Sequence, residues 1–413
     1  FFITVLLLFL SSGVWVALSM IGVSAIAMGL FTSRPVGDAM ATTIWGMSSS
    51  WTLTALPLFV WMGEILFRTK LSENLFEGLS PWMQKLPGGL IHVNVVGCAI
   101  FAAISGSSAA TVATVGKMSI PELRKRNYPE KILLGSLAGS GTLGLLIPPS
   151  IILIIYGVTV QESIAKLFIA GIFPGIMIAI IFMTYVVIWS LMNKDKMPVL
   201  TEEIPFIEKI KKSGKLIPVI LLIVSVIGSI YSGVATATEA ASLGVVGALI
   251  LSFFQKSLTV DSFKKSLLGA TKTSCMIGFI LAGSTFLSLA MGFTGLPRNL
   301  AIWIDTMQLS PYILIIVLMI FYIILGMFLD GISAVVLTMA IIEPMIRQAG
   351  FDMIWFGIFL VVVVEMAQIT PPVGFNLFVL QGNGRKRYGI YSKKCFSTFS
   401  LNGFSNSYNY YIS

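Results

Sequence analysis

The sequence predicts an all-α polytopic membrane protein made of two inverted repeats, each with one re-entrant helical hairpin. Three observations predict this fold class. Hydrophobic residues make up 56% of the chain and charged residues only 11%, whereas a soluble domain carries about 25% charged residues. A break rich in glycine and serine occurs once in each half of the chain. The lysine and arginine residues fall mostly in loops on one face of the predicted membrane.

Apolar runs of about 20 residues, long enough to cross a bilayer, recur along the chain. The clearest lie at 3–31, 167–192 and 354–380. This pattern predicts spans at 1–31, 51–67, 132–157, 166–192, 216–234, 238–255, 272–293 and 352–381. The net charge of +9 is therefore interpreted as a mark of membrane topology and not of binding to nucleic acid.

Two further apolar stretches, 88–121 and 309–345, are each interrupted by a break of small residues. The first break is 105–109 (SGSSA) and the second is 330–334 (DGISA). Each arm beside a break has roughly 12–18 residues, which is short for a full crossing. We therefore interpret both stretches as hairpins that enter and leave on the same side, with their tips buried in protein or facing a wet cavity.

The two breaks recur together with the sequence that follows them. Gly331 lies 225 positions after Gly106, and Pro371-Pro372 lies 223 positions after Pro148-Pro149. Glycine and serine are common where membrane helices pack closely, so a single break would favour simple packing. A break that is repeated in both halves favours a binding site, because interrupted helices at mid-membrane form the sites of secondary transporters.

The basic residues predict the topology. With the spans and hairpins placed as above, 17 lysine and arginine residues lie on one face and four on the other, apart from Lys117 and five in the tail. The richer face is predicted to be cytoplasmic. If the hairpins were ordinary spans, the loops after each one would change sides, and the basic residues would no longer collect on one face. The same count orients 51–67 inward and 272–293 outward, which makes the two halves inverted repeats.

These assignments divide the chain into four parts. We predict a first repeat at 1–192, a cytoplasmic linker at 193–215, a second repeat at 216–382 and an atypical tail at 383–413. The tail is rich in serine, asparagine and tyrosine and holds no acidic residue. We expect it to be disordered, as the product of a shifted reading frame, with a natural basic tail as the alternative.

Two segments that precede the hairpins, 71–87 and 296–308, mix apolar and polar residues. This mixture is typical of amphipathic helices that lie at a membrane surface. The buried stripe of the first is predicted to consist of Leu75, Leu79, Trp82 and Leu86.

A helix that stops inside the membrane leaves carbonyl groups without partners at its C-terminal end and N–H groups at its N-terminal end. Carbonyls with hydroxyl oxygens beside them suit a small cation, and the N–H ends suit an anion. The breaks supply glycines that permit an open backbone and hydroxyls that can bind. They are Ser105, Gly106, Ser107, Ser108, Gly139, Ser140, Gly141, Thr142, Gly144, Gly331, Ser333 and Thr370.

Asp330 opens the second break, where a cation ligand and a helix cap are equally consistent with its position. Glu365 lies inside a predicted span and either contributes to a site or pairs with a buried base. His92 is the only histidine and has no cysteine or histidine nearby, which argues against a transition-metal site. Without a GxSxG motif or a second histidine, a serine hydrolase is also disfavoured, so we predict no enzymatic activity.

Several motifs, in this order, resemble the large membrane subunit of tripartite ATP-independent periplasmic (TRAP) transporters. They are Ala55-Leu56-Pro57-Leu58-Phe59 with Gly63-Glu64, Ser105-Gly106-Ser107-Ser108-Ala109, Gly144-Leu145-Leu146-Ile147-Pro148-Pro149-Ser150, Thr238-Glu239-Ala240-Ala241 and Thr370-Pro371-Pro372-Val373-Gly374-Phe375-Asn376. The resemblance covers about residues 1–382. A member of that family would continue past Gly382 with another apolar span, which this sequence does not show.

The resemblance implies a sodium-coupled importer of an organic acid, such as a C4-dicarboxylate or sialic acid, in the bacterial inner membrane. It implies two partners: a small four-helix membrane (Q) subunit and a periplasmic substrate-binding (P) protein. It implies Na⁺ as the coupling ion, with no other cofactor. The fold would resemble the elevator fold of divalent-anion/sodium symporters, in which a moving domain carries both hairpins.

By the same resemblance, sodium would bind at the hairpin tips and at the facing breaks. The residues so implied are Ser105, Gly106, Ser107, Ser108, Ala138, Gly139, Gly141, Thr142, Gly144, Asp330, Gly331, Ser333, Ala367, Gln368 and Thr370. The candidate substrate-binding residues are Ser107, Ser108, Thr111, Pro148, Pro149, Ser333, Pro371, Pro372 and Asn376.

Three other classes of membrane protein compete with this interpretation. A channel or another transport subunit without sodium coupling is the alternative, although no filter sequence is visible. An intramembrane aspartyl enzyme would need a second suitably placed carboxylate beside Asp330. A primary ATP-driven pump is disfavoured, because the chain has no Walker A motif.

Overall fold

The computed structural model describes residues 1–69, 71–198, 205–295, 299, 310–327, 329–370, 374, 376, 377, 379 and 380. Every regular element within these ranges is helical, with 17 α-helices and a few short 3-10 turns. This confirms the prediction of an all-α protein. The predicted surface helix at 296–308, apart from Asn299, and the predicted tail at 383–413 lie outside the described residues.

The first 31 residues form two helices. A short turn, in which Gly13 has a φ of +82°, joins α1 (Phe2–Ser11) to α2 (Val16–Phe31). The ring centroids of Phe1 and Phe31 are 5.1 Å apart, so the two helices run antiparallel. The prediction of one N-terminal span is therefore wrong, because apolar residues continue on both sides of the turn and conceal it.

A bend of 55° separates α3 (Val36–Ser48) from the helical segment Trp51–Phe67, which contains α4 (Ala55–Phe67). The next helix, α5 (Leu71–Met83), packs against the first hairpin. The predicted buried stripe is confirmed for Leu75 and Leu79, which are buried in the protein. It is wrong for Trp82 and Leu86, which are exposed.

The first hairpin consists of α6 (His92–Ser105) and α7 (Ser108–Lys125), which pack side by side. After it, α8 (Glu130–Gly141) and α9 (Ile151–Val160) are separated by a 3-10 turn and by Pro148-Pro149, whose peptide bond is cis. The predicted span at 132–157 is thus two helices, and the break that the sequence predicted within it is confirmed. Glycines and prolines interrupt the helix in the middle of that segment. The long helix α10 (Ile164–Met192) follows.

The second half begins with α11 (Phe206–Ser213) and α12 (Ile217–Tyr231), which meet at a bend of 54°. They are followed by α13 (Ala237–Phe254) and by α14 (Val260–Thr294), whose 35 residues start well before the predicted span at 272–293.

The second hairpin consists of α15 (Pro311–Gly326) and α16 (Gly331–Gln348), with the predicted break between them. The helix α17 (Met353–Gln368) follows and ends just before Thr370. Residues 376, 377, 379 and 380 are also helical. The structure thus confirms that a helix–break–helix pair occurs in each half. Pro371 and Pro372, at the second predicted Pro-Pro break, lie outside the described residues.

Among the described residues, four helices are long and apolar enough to cross a membrane by themselves, namely α10, α13, α14 and α16, the last of which is an arm of the second hairpin. The bent pairs α3–α4 and α11–α12 raise the number in these ranges to as many as six. The shorter apolar helices include α6, α9, α15 and α17, which meet at the breaks. Each of these is too short for a full crossing, as expected for hairpin arms and interrupted helices.

The two halves pack together through α9, which contacts both α16 and α17. The Tyr156 hydroxyl donates a hydrogen bond of 2.7 Å to the carbonyl of Met353. Near the far end of α9, the guanidinium of Arg347 donates a hydrogen bond of 3.0 Å to the carbonyl of Val160. α14 lies along this block and also packs against α2, α3 and α4. The hairpins and interrupted helices therefore share one core.

Candidate functional site

The tip of the first hairpin is a sharp turn held by hydroxyl groups. Gly106 ends α6 with a φ of +58°, in the left-handed region that favours glycine. Ser107 caps α7, and its carbonyl accepts a hydrogen bond of 2.8 Å from Thr111. The hydroxyls of Ser105 and Thr111 lie 3.0 Å apart and are hydrogen-bonded. The predicted hydroxyls therefore stabilise the turn itself.

This tip packs directly on the break between α8 and α9. The Ile151 amide donates a hydrogen bond of 3.2 Å to the Gly106 carbonyl. A Cβ placed on Gly144 would lie 2.6 Å from the carbonyl oxygen of Ser107, so only glycine permits this approach. The Ser150 hydroxyl caps α9 and donates to the carbonyl of Leu145. The N-terminal ends of α7 and α9 thus lie beside one another.

At the tip of the second hairpin, the Asp330 carboxylate caps α16. One of its oxygens, Oδ2, accepts hydrogen bonds of 3.2 Å from the amides of Ile332 and Ser333. Of the two roles that the sequence left open, the helix cap is therefore present. Asp330 also lines the cavity described below, so the geometry is compatible with a cation role as well.

The two hairpin tips meet at the end of α17. The Ser108 hydroxyl donates a hydrogen bond of 2.7 Å to Oε1 of Gln368. Gly331 lies on the other side of this amide, because a Cβ placed there would be 3.0 Å from Nε2 of Gln368 and 3.2 Å from Ile152. Ends of α7, α16 and α17 therefore converge at the Gln368 side chain, and the start of α9 lies beside Gly331, although residues 108 and 368 are far apart in sequence.

A cavity of about 1390 Å³ reaches this convergence point. Its apolar wall comes from α2, α4 and α14, and its polar end comes from the two hairpin tips. The predicted site residues that line the cavity are Ser105, Gly106, Ser107, Ser108, Asp330, Gly331, Ser333 and Gln368. The structure therefore gathers both predicted tips at one end of a single cavity.

Other predicted site residues do not line the cavity. The Thr111 and Thr142 hydroxyls bond to backbone carbonyls, as does that of Thr370, which binds the carbonyl of Met366. Asn376 is fully buried, and neither polar atom of its amide has a partner among the described residues. The remaining predicted residues support the breaks without lining the cavity: Ala138, Gly139, Gly141, Gly144, Pro148, Pro149 and Ala367.

The sequence did not predict the polar residues on the α4–α14 side of the cavity. Glu64 of α4 and Lys272 of α14 line it, together with the free, exposed thiol of Cys275. Glu64 forms an ion pair of 2.9 Å with Arg68. Lys272 makes no ion pair within the ranges that the structure describes. Its position at the start of a predicted span was a usable signal, but it served only to assign topology.

We expect the hydrogen bond between Ser108 and Gln368 to contribute about 1 kcal/mol of coupling between the first hairpin and α17. The test is a double-mutant cycle with Ser108→Ala and Gln368→Ala, read out as unfolding free energy in detergent. As a control, Ser225→Ala removes a hydroxyl that bonds only within its own helix, to Leu222. When Ser225→Ala is combined with Gln368→Ala, the two changes in unfolding free energy should add. If the changes caused by Ser108→Ala and Gln368→Ala also add, the predicted coupling is contradicted.

Comparison with known proteins matches nearly the whole chain to one family model. Residues 3–395 match the model described as "Tripartite ATP-independent periplasmic transporter, DctM component". The chain is 34% identical over 357 residues to the C4-dicarboxylate TRAP transporter large permease protein DctM of Pseudomonas aeruginosa, covering 86% of this chain and 82% of that protein. It is 31% identical over 379 residues to the isethionate TRAP transporter permease protein DctMQ of Oleidesulfovibrio alaskensis, covering 91% of this chain and 59% of that protein.

Among solved structures, the chain is similar to the YdaH transporter of Alcanivorax borkumensis. The TM-score is 0.62 at 12% sequence identity, and the alignment covers 95% of this chain and 94% of YdaH. At this identity the likeness concerns the fold alone.

Proposed function

Because the chain belongs to the DctM family of tripartite ATP-independent periplasmic (TRAP) transporters, we propose that it imports an organic acid by coupling its movement to that of Na⁺. As a large permease of this family, the chain is an integral protein of the bacterial inner membrane. The observation that carries the proposal is the meeting of both hairpin tips at Gln368, at the polar end of one cavity.

Two kinds of backbone group at the tips support this pairing of an ion with an anion. Carbonyls of the breaks, with hydroxyls and Asp330 beside them, suit Na⁺. The N-terminal ends of α7 and α9, capped by the neutral residues Ser107 and Ser150, suit a carboxylate. The negative charge of Asp330 offsets the partial positive charge at the N-terminal end of α16. The anion is therefore expected nearer to the first hairpin.

A small organic anion is the proposed substrate class. The names of two relatives refer to C4-dicarboxylate and to isethionate, and both ligands are small acids. The cavity supports this class, because its wall is mostly apolar while Lys272 supplies a cationic group. A mainly apolar pocket with a few fixed polar groups is typical of sites for small molecules.

We propose that the chain works with a small four-helix membrane subunit and with a periplasmic binding protein. Membership in the TRAP family supports both partners, and the printed name DctMQ supports the first. The binding protein would deliver the substrate to the outer face.

An elevator motion is the proposed mechanism. The cavity extends from the tips to Glu64 and Phe67, near the end of α4, and to Lys272 of α14, a region that the charge distribution assigns to the cytoplasmic side. This arrangement corresponds to a state open to the inside. In the proposed cycle, the packed block of hairpins and interrupted helices slides along the α4–α14 wall, and the site opens to the outside.

Uptake by liposomes that hold both membrane subunits tests the proposal. With binding protein present, we expect uptake of a labelled C4-dicarboxylate or related acid to follow an inward sodium gradient and to fall to background without it. Removing the binding protein should have the same effect. A potassium gradient of equal size is the control. Uptake that is independent of sodium would overturn the coupling, and uptake that simply equilibrates the acid would favour a channel.

A further inference from the structure

The short helix α11 is an amphipathic element whose apolar side is largely exposed among the residues that the structure describes. At about 100° per residue, Phe206, Ile207 and Ile210 lie within one sector of its surface. Their side chains are 65%, 81% and 53% exposed. An exposed cluster of large apolar side chains marks a surface that binds something other than water.

Lysines border this apolar sector on both sides. Lys209 and Lys211 flank it, and neither makes an ion pair within the described part of the chain. The other charges of α11 and of the turn after it are paired, Lys212 with Glu208 at 3.0 Å and Lys215 with Glu77. From Pro205 onward, the unpaired charge beside the apolar sector is therefore positive.

The helix is held in place on α5, so its apolar side has a fixed direction. Trp82 donates a hydrogen bond of 2.7 Å to the Ser213 hydroxyl, which donates one of 3.2 Å to the carbonyl of Gly78. The ring of Trp82 packs edge-on against Phe206, and the Lys209 ammonium lies 5.8 Å from its centroid. Trp82 and Leu86 are themselves exposed and extend the apolar surface.

The direction of α11 is that of a helix at a membrane interface. It bends by 54° relative to α12, a strongly apolar helix that follows it directly. The count of basic residues places this bend at the cytoplasmic face. Where a membrane helix begins, an amphipathic segment set at such an angle lies near the level of the lipid headgroups.

We infer that α11 and the adjacent end of α5 form a binding surface for anionic phospholipid of the inner leaflet. Ile207 and Ile210 insert among the acyl chains, and Lys209 and Lys211 bind the acidic headgroups. Apolar insertion combined with lysine contacts is the general basis of such binding. Because α5 packs on the first hairpin, the bound lipid lies one helix away from the moving block.

Two labelling positions on opposite sides of α11 test the insertion. The background for labelling is the full-length chain with Cys275→Ser and Cys395→Ser. Cys98 is kept, because it is fully buried and a thiol reagent does not reach it. Ile207→Cys and, as the matched control, Glu208→Cys are labelled with a fluorophore in vesicles. We expect nitroxide-bearing lipids to quench the label at 207 and soluble iodide to quench the label at 208. A label at 207 that lipid nitroxides cannot quench would overturn the inference and indicate a protein cover.

Two lysine substitutions test the headgroup contacts. The double substitution Lys209→Gln and Lys211→Gln should lower the preference for phosphatidylglycerol over phosphatidylcholine by roughly tenfold. The reason is that each lysine near the surface attracts the anionic headgroups. The control, Lys256→Gln with Lys264→Gln, removes the same charge elsewhere on the predicted cytoplasmic face and should leave the preference unchanged. The measurement is retention of labelled lipid by the purified protein. Equal preference in wild type and in the Lys209/Lys211 variant would refute the contacts.

Discussion

Gly106→Val is expected to abolish uptake while the protein still inserts into the membrane. Gly106 has a φ of +58°, which a β-branched residue adopts only at a cost of about 1–3 kcal/mol. A Cβ at this position would also lie 2.6 Å from the carbonyl oxygen of Pro149 and 3.2 Å from the amide nitrogen of Ile151. The tip must therefore move away from the facing break, and a site misplaced by about 1 Å loses activity on the order of a hundredfold. Initial uptake rates in liposomes measure the loss.

A second glycine of the same helix provides the matched control. A Cβ on Gly97 would meet Val115 at 3.8 Å, an ordinary contact, so Gly97→Ala should retain uptake. Maleimide labelling of Cys275, in a Cys395→Ser background, reports whether the cavity wall is still formed. Uptake at the parental rate by Gly106→Val, with normal labelling, would remove the first hairpin tip from the proposed site.

Asp330→Asn is expected to weaken sodium dependence while leaving the helix cap intact. An asparagine oxygen still accepts hydrogen bonds from the amides of Ile332 and Ser333, because asparagine is as good a cap as aspartate. The variant loses only the negative charge at the cavity. We expect the sodium concentration for half-maximal uptake to rise on the order of tenfold, which corresponds to about 1.4 kcal/mol of binding free energy.

Asp330→Ala separates the cap from the charge. Alanine removes both, so it should lower the free energy of unfolding by a further ~1 kcal/mol relative to Asp330→Asn. Thermal unfolding in detergent measures the loss of stability that comes from the cap. Uptake as a function of sodium concentration measures the loss of sodium affinity that comes from the charge. If Asp330→Asn shows the sodium dependence of the parent, the carboxylate acts only as a cap.

The hairpins were predictable because their signals are local and occur twice. Small residues at Gly106 and Gly331, each inside an interrupted apolar stretch, gave both breaks at the correct positions. The N-terminal helix pair was missed for the opposite reason. Its turn is marked only by Gly13 and two serines within a long apolar run, and the contact between Phe1 and Phe31 that defines the pair is not local.

The candidate site was predictable in its parts but not in its assembly. The hydroxyl and glycine residues of each tip follow from sequence, whereas the pairing of Ser108 with Gln368 depends on how the two halves pack. The wall formed by Glu64, Lys272 and Cys275 was hidden for a related reason. Those residues lie inside α4 and α14, away from the predicted glycine and serine breaks, and only the packing of these helices places them at the cavity.

The ties between the halves bear on how tightly ion and cargo are linked. Ser108 is bound to Gln368 at the centre, Tyr156 to the carbonyl of Met353, and Arg347 to that of Val160. In the proposed elevator motion, these bonds would hold the two tips in one unit, so that neither tip crosses the bilayer without the other. An ion held at one tip and an anion held at the other would then cross in the same step. Weakening these bonds would separate the movement of the ion from that of the anion without removing either binding site.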